Sequence, residues 1–405
     1  MAWIEKSAYM DANTSQSAVA LFTEIHHQFG TDSHSFFKQV LTDRLKVFHA
    51  RYPDMANETI AYQINSLAFQ HSLRSHPSHW PTLWSKLEHS ALSLFNNWAE
   101  AWCYFLLWKL MRKYNQLSSE SIETETVDQF QPLLSLDEQI YQDELVEDVQ
   151  SSMQLYYSLH YSKPVTLPDA IMMINLSTFV LQQRWYEVLN HLELSACGTH
   201  FLLTAKPSGS DYPILVSSAR VNPHHTAYEW LYFSPFFQTS QWSTSTSQQP
   251  LRVLQERKLL NSTKNIDNSN VKHLDTWLWQ NMSNQQACCE IIRLTVSGTT
   301  AQKLFYLYLS QKRLMQRLVE RSLQLAFVVI EQPLMIQFYA SLPNDAFCPL
   351  VYNHISGSEN PTHKGLWVIP RLNEELTRCD FKRYKSLAFN QMKQRSQKQQ
   401  GVNHA

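Results

Sequence analysis

Between residues 13 and about 115, apolar side chains recur at steps of three and four. Phe37, Val40, Leu41, Leu45 and Phe48 form one such series, and Leu92, Phe95, Trp98, Trp102, Phe105 and Leu106 another. That spacing predicts amphipathic helices and few strands. Past Pro164 the pattern changes. Phe201-Leu-Leu-Thr-Ala, Ile214-Leu-Val-Ser-Ser-Ala-Arg-Val and Cys289-Glu-Ile-Ile-Arg-Leu-Thr-Val are short apolar or β-branched runs bounded by Pro, Gly or Ser, which predicts strands. A helical series between Val296 and Leu323 uses Leu304, Leu307, Leu314, Leu318 and Val319 and opens on Ser297-Gly298-Thr299-Thr300 as a cap. Leu325-Ala-Phe-Val-Val-Ile then suits a strand covered on both faces. Pro333 sits at the first turn of a short helix bearing Met335, Phe338, Tyr339 and Leu342, and Leu366-Trp-Val-Ile reads as a closing strand. The order is that of an α/β domain, residues 165–385, behind an all-α amino-terminal domain, residues 1–160.

Composition narrows the function classes. The chain has 405 residues, 44% hydrophobic and 17% charged, so it builds a core rather than a disordered coil. Its 34 Lys and Arg nearly cancel 35 Asp and Glu, so no global field points to nucleic acid. Only seven glycines occur, against a usual ~7% of residues. G-x-G-x-x-G, G-x-x-x-x-G-K-[ST] and G-x-S-x-G are all missing, which sets aside a dinucleotide fold, a P-loop and a hydrolase elbow. Residues 116–162 hold ten acidic side chains and no Lys or Arg, as expected of a solvated acidic linker. Residues 386–405 are basic and Gln-rich and read as a flexible tail.

The amino terminus lacks the apolar core of a secretory signal. The run Trp98–Trp108 is too short to span a bilayer and holds Glu100. Six cysteines without a C-x-x-C pattern suit reduced thiols in a cytoplasm. His71, His76 and His79 cluster without a Cys or Glu that would complete a zinc pattern, so no metal is expected.

Chemistry concentrates in the second half. Glu290 and Arg293 interrupt a run that otherwise reads as core, and buried charges need a partner or a polar cavity. In a regular strand they point to opposite faces, and a bulge is required to bring them to one site. Arg220, in Ser-Ala-Arg-Val-Asn-Pro, stands similarly, and Arg184, beside Trp185, is expected on the first helix of the domain.

Arg184-x-x-x-Val188, Ala219-Arg220-Val221-Asn222-Pro223 and Glu290-Ile291-Ile292-Arg293 occur in this order. The series resembles three marks of LuxI-type acyl-homoserine lactone synthases: an Arg-x-x-x-Phe helix, an Ala-Arg-Leu-x-Pro strand end and a Glu-x-x-Arg strand. With its helical extension and the segments Glu331-Gln-Pro-Leu-Met and Gly365-Leu-Trp-Val-Ile-Pro-Arg, the chain is similar to the LuxM/AinS/VanM family of vibrio autoinducer synthases. The pattern departs from LuxI-type enzymes where Val188 replaces phenylalanine and where only the widely spaced Glu193 and Asp211 stand for an acidic pair. The acetyltransferase pyrophosphate loop is missing too, with Ser297-Gly298-Thr299-Thr300 in its place.

The resemblance implies a GNAT-like mixed sheet with packed helices and transfer of an acyl group to the amine of S-adenosylmethionine. Lactone closure then expels methylthioadenosine. Glu290, Arg293 and Arg220 are the implied catalytic residues. Substrate binding falls to Arg184, Trp185, Ser297, Gly298 and Thr299, whose helix-start amides suit a pantetheine phosphate. No tightly bound cofactor is implied; S-adenosylmethionine and acyl-carrier protein or acyl-coenzyme A are substrates. An acidic carrier protein calls for a basic dock, and Lys312, Arg313, Arg317 and Arg321 with Lys382, Arg383 and Lys385 supply candidates. Two alternatives stay open: an acyltransferase acting on another amine, and an inactive acyltransferase-like interaction module.

Overall fold

The three- and four-residue spacing closes into helices in a computed structural model, which describes residues 12–117, 135–206, 210–244, 249–261, 270–343, 346–354 and 361–389. Helices α1 (Ala12–Phe29), α2 (Ser33–Arg51), α3 (Ile60–Asn65), α4 (Leu67–Ser72), α5 (Thr82–Leu94) and α6 (Trp98–Leu117) come first. Strand β1 (Tyr141–Val146), strands β2 (Leu155–Ser158) and β3 (Tyr161–Thr166), and helix α7 (Leu167–Asn175) follow. Next are β4 (His200–Ala205), β5 (Ile214–Pro223), β6 (Ser243–Thr244), α8 (Gln249–Glu256) and α9 (Val271–Gln280). The chain continues through β7 (Cys288–Val296), α10 (Thr300–Glu320), β8 (Leu325–Ile330) and α11 (Pro333–Ala340) to β9 (Phe347–Asn353), β10 (Thr362–Val368) and α12 (Ile369–Thr377).

Two compact units share this chain, and they are not consecutive blocks. The first comprises residues 1–135, 149–197 and 205–215; the second comprises 136–148, 198–204 and 216–405. The expected break between residues 160 and 165 therefore falls inside the first unit. Helices α1 to α6 belong to that unit, but so does the antiparallel pair β2–β3, so the unit is not all-helical.

The first unit is built on aromatic rings. Phe37 stacks on Trp98 with centroids 4.7 Å apart, and Phe22 packs on Phe95 and Phe105. Leu45, predicted in the stripe of α2, is only half-buried. The buried charges around α2 are paired, as burial requires. Arg44 bonds Glu88 through two nitrogens and also reaches Ser75 and His76. Asp43 accepts from the Trp80 indole at 2.8 Å and bonds His79 at 3.0 Å. The histidines at 76 and 79 thus finish a structural network around α2.

The second unit is organised by a mixed sheet in the order β1-β4-β5-β7-β8-β10-β9-β6. The pairs β5–β7, β8–β10, β10–β9 and β9–β6 are antiparallel, whereas β7–β8 is parallel. A parallel step needs a crossover, and α10 supplies it, capped by Thr299 and Gln302 in a reciprocal box. Its buried stripe runs through Phe305, Tyr308, Leu309, Leu314 and Leu318. Val319, expected inside, is exposed, because the stripe turns toward aromatic residues that a Leu/Val count passes over. Residues 381–389 are helical, so the carboxy-terminal tail starts later than residue 386; residues 390–405 lie outside the described residues.

The acidic segment is where sequence and structure differ most. Tyr141–Val146 is a strand, and Leu155–Thr166 is strand-rich, so residues 135–162 are not a linker; residues 118–134 lie outside the described residues. The acidic charges meet cations of α10 and of the Arg321 that caps its end: Glu138 pairs with Lys312 at 3.0 Å, Asp143 with Arg317 at 2.6 Å and Arg313 at 3.8 Å, and Glu147 with Arg321 at 2.5 Å. Among the described residues no helix is long and apolar enough to cross a membrane.

One glycine is demanded by sheet packing. A Cβ on Gly365 of β10 would stand 2.5 Å from the Cys348 carbonyl oxygen of β9, beside a shift in register between Lys364 and Gly365. Backbone cannot yield as a side chain does. Gly365→Ala is therefore expected to lower unfolding stability by about 1–3 kcal/mol, read from a denaturant melt of the full chain.

Candidate active site

Strand register lays out the site. Asn222 of β5 pairs with Glu290 of β7, and Glu290 pairs with Phe327 of β8, which in turn pairs with Leu366 of β10. Paired residues share a face, so this row crosses four strands on one side of the sheet. Arg220 and Lys364 stand two residues along β5 and β10 from members of the row.

Glu290 is 1% exposed, and a charge there requires hydrogen bonds. Its Oε1 accepts from the Tyr232 backbone N–H at 2.6 Å, and its Oε2 accepts from Asn222 Nδ2 at 2.7 Å. The Asn222 oxygen accepts from Arg220 Nε at 2.7 Å, so a single amide links guanidinium to carboxylate. Burial pushes the Glu290 carboxyl up to about 7; the hydrogen bonds from Tyr232 and Asn222 and the Arg220 charge act against it.

The bulge that Glu290-x-x-Arg293 called for is present. Ser218 pairs with Thr295 but Arg220 pairs with Ile292, so β7 carries one residue more than β5 across this step. Arg293 absorbs it with φ of 56°, a left-handed conformation uncommon for a side-chain-bearing residue. Arg220 and Arg293 both act on His200 of β4. Burial, and then these two positive charges, drive that imidazole down to about 3, so it is neutral across the working pH range. Gly198 has φ of +78°, and a Cβ there would lie 3.3 Å from Arg220 Nη2, so the missing side chain leaves room for the guanidinium.

The other sequence-predicted residues fall elsewhere. Arg184 and Trp185 belong to the first unit. Arg184 is not on a helix; it follows the π-helical turn Leu176–Gln182, exposed, with φ of 57°. Ser297 is buried and its N–H donates to the Val216 carbonyl at 2.9 Å. Gly298 takes φ of +112° against Gln302 and Tyr306. The Thr299 and Gln302 amides are both taken by the capping box, which leaves fewer helix-start donors for a phosphate than expected. Lys312, Arg313 and Arg317 meet the acidic partners named above, while Lys382 and Arg383 are exposed. Cys288 and Cys289 are buried, with burial raising both thiols.

Asn222, His200 and Tyr232 were not singled out by the sequence. Asn222 had a legible signal, since it lies two residues from Arg220 and a strand puts both on one face. His200 opens a strand of apolar residues and is itself buried. Tyr232 contributes a backbone amide, for which residue type carries no signal.

Because the folded carboxyl of Glu290 titrates near 7 and an ordinary glutamate near 4.5, the fold holds its proton more tightly than the unfolded chain does. That contribution to stability is complete below about pH 4.5 and is lost as pH rises through 7. The stability difference between the native chain and Glu290→Gln is expected to shift by about 3 kcal/mol across this interval, with the native chain losing ground as pH rises. Denaturant melts at several pH values read it.

The family model described as acyl homoserine lactone synthase matches residues 15–397. The acyl-homoserine-lactone synthase OpaM of Vibrio parahaemolyticus is 28% identical over 351 residues, 87% of this chain and 86% of that protein. The acyl-homoserine-lactone synthases LuxM of Vibrio harveyi and of Vibrio atlanticus are 27% and 25% identical, covering 86% and 87% of each chain. No solved structure matches the chain. With the match running over nearly its whole length, the chain belongs to the acyl homoserine lactone synthase family, and it is an acyltransferase.

Proposed function

We propose that this enzyme makes an autoinducer for quorum sensing by acylating the α-amine of S-adenosylmethionine and closing the product to a lactone. The bond chain Arg220–Asn222–Glu290 carries the reading, because it joins one acceptor for an ammonium to one donor for a carboxylate through a single amide. Arg220, with Arg293 beyond His200, grips the substrate carboxylate. Glu290 takes a proton from the ammonium, directly or through water, and a carboxyl titrating near 7 suits that work at neutral pH.

The freed amine attacks the thioester carbon; a C–N bond forms, the C–S bond breaks and the carrier leaves as a thiol. The substrate carboxylate oxygen then displaces methylthioadenosine, whose sulfur leaves uncharged as the ring closes. No covalent enzyme intermediate is required.

A GNAT-like arrangement of the second unit is part of the proposal. Its support is the parallel pair β7–β8, whose ladder runs from Cys288–Leu325 to Ile291–Val328 while β7 continues to Val296. Amides past the end of such a ladder suit a thioester oxygen. The acyl donor is an acyl carrier protein or acyl-coenzyme A, and a carrier protein would dock on the exposed Lys382 and Arg383 with the half-buried Lys312, Arg313 and Arg317 of α10.

Expressing the chain in a bacterium and extracting the medium for mass spectrometry tests the reading. The native chain should yield an acyl-homoserine lactone, and Glu290→Gln should lower its rate of formation by about 10²–10⁴-fold. An undiminished yield from a folded Glu290→Gln variant would refute the role given to this carboxylate, and no lactone from the native chain would refute the function.

A further inference from the structure

Behind Glu290 lies a second charged group that the reaction above does not use. Lys364, in the middle of β10, is fully buried. Its Nζ donates to Asp275 Oδ2 of α9 at 2.7 Å and to the Phe237 carbonyl at 3.2 Å, and stands 4.2 Å from the centre of the Tyr232 ring. Tyr232 is the same residue whose N–H binds Glu290. Its ring packs on Phe327, the cross-strand neighbour of Glu290, with centroids 5.0 Å apart.

A buried ion pair is an expensive way to fill space, and apolar residues of similar volume commonly do as well or better. Here the pair is also incompletely bonded: Asp275 Oδ1 and the Tyr232 hydroxyl are buried with no hydrogen-bond partner. Packing alone does not account for a lysine at this position. The groups facing Glu290 are Arg220 and Asn222 from β5, Cys289 beside it on β7, the apolar Phe327 from β8, Tyr232 from the covering turn, and Lys364 from β10 with Asp275 behind it. Two cations therefore flank one carboxylate, Arg220 through an amide and Lys364 across an aromatic ring.

We infer that Lys364 is a positioning residue for Glu290: its ammonium, anchored by Asp275, stabilises the carboxylate form and clamps the ring of Tyr232, whose amide orients that carboxylate. The inference rests on the proposed function only for what Glu290 does to substrate. The coupling between Lys364 and Glu290 can be measured with no substrate present. Burial lowers the Lys364 ammonium, and the Glu290 charge acts against that, favouring its charged form.

Carbon-13 labelling of glutamate Cδ follows the Glu290 titration by NMR in the full chain, with the signal assigned by its loss in Glu290→Gln. In Lys364→Met, and in the double variant Lys364→Met/Asp275→Leu, which removes the pair together, the midpoint should rise by about one pH unit. Lys364→Arg should leave it near the native value. The acid limb of kcat/KM should move upward in step, a change that a mere loosening of the fold would not produce. An unmoved midpoint in a folded variant lacking Lys364 overturns the inference. The native chain gives a second measurement that needs no lysine variant to fold: a lysine Cε signal should sense the Glu290 step and lose that inflection in Glu290→Gln. Absence of such a signal also overturns it. If the midpoints move but the native chain makes no lactone, the coupling stands and the proposed function falls.

Discussion

A carboxylate in the middle of a sheet is the constraint around which the second unit is arranged. Glu290 occupies a strand whose neighbours are Cys289, Ile291 and Ile292, all buried. Leaving it there without partners would cost several kcal/mol, more than a typical single interaction returns. Each of its oxygens accordingly has a donor, one from a side chain on the adjacent strand and one from a backbone turn. The donors explain features that look unrelated in the sequence: an asparagine two residues after an arginine, and the aromatic cover of Trp230, Tyr232 and Phe233 packed on Phe327. Apolar rings exclude water, and the excluded water is what raises the carboxyl toward neutrality.

The extra residue in β7 serves the same centre. A regular strand would turn Arg293 to the opposite face from Glu290, since their separation is odd. The left-handed conformation at Arg293 takes up one residue, so the strand continues in register to Ser217–Val296 after the step. Strain of this kind costs of order 1–3 kcal/mol and persists where surrounding structure holds it. Here the sheet holds it from β5.

Much of this was legible. The short apolar and β-branched run Cys289–Val296 pointed to a strand, and the spacing of its two charges to the bulge that a common site would require. The order strand, helix, strand, helix predicted β7, α10, β8 and α11, and the helical spacing of α2 and α6 was plain. What escaped depends on pairing between distant segments. Tyr141–Val146 reads as acidic coil until Arg317 is known to face it. Lys364 reads as a polar residue at the start of a strand until cross-strand register buries it beside Asp275. Arg184 lies near a helical run, but the π-helical turn before it ends that run early. Register and tertiary pairing are not local properties, so a local pattern does not carry them.

The interleaving of the two units governs how such a chain is born. The first 135 residues include all six amino-terminal helices, yet their unit is finished only by residues 149–197 and 205–215. During synthesis, domains ordinarily fold as they emerge, earliest first. Here the early helices must wait on the ribosome for a hairpin and a strand start encoded well after them, with their aromatic faces incompletely covered in the meantime. A cut at any one point in the gene leaves no fragment holding either unit alone and entire.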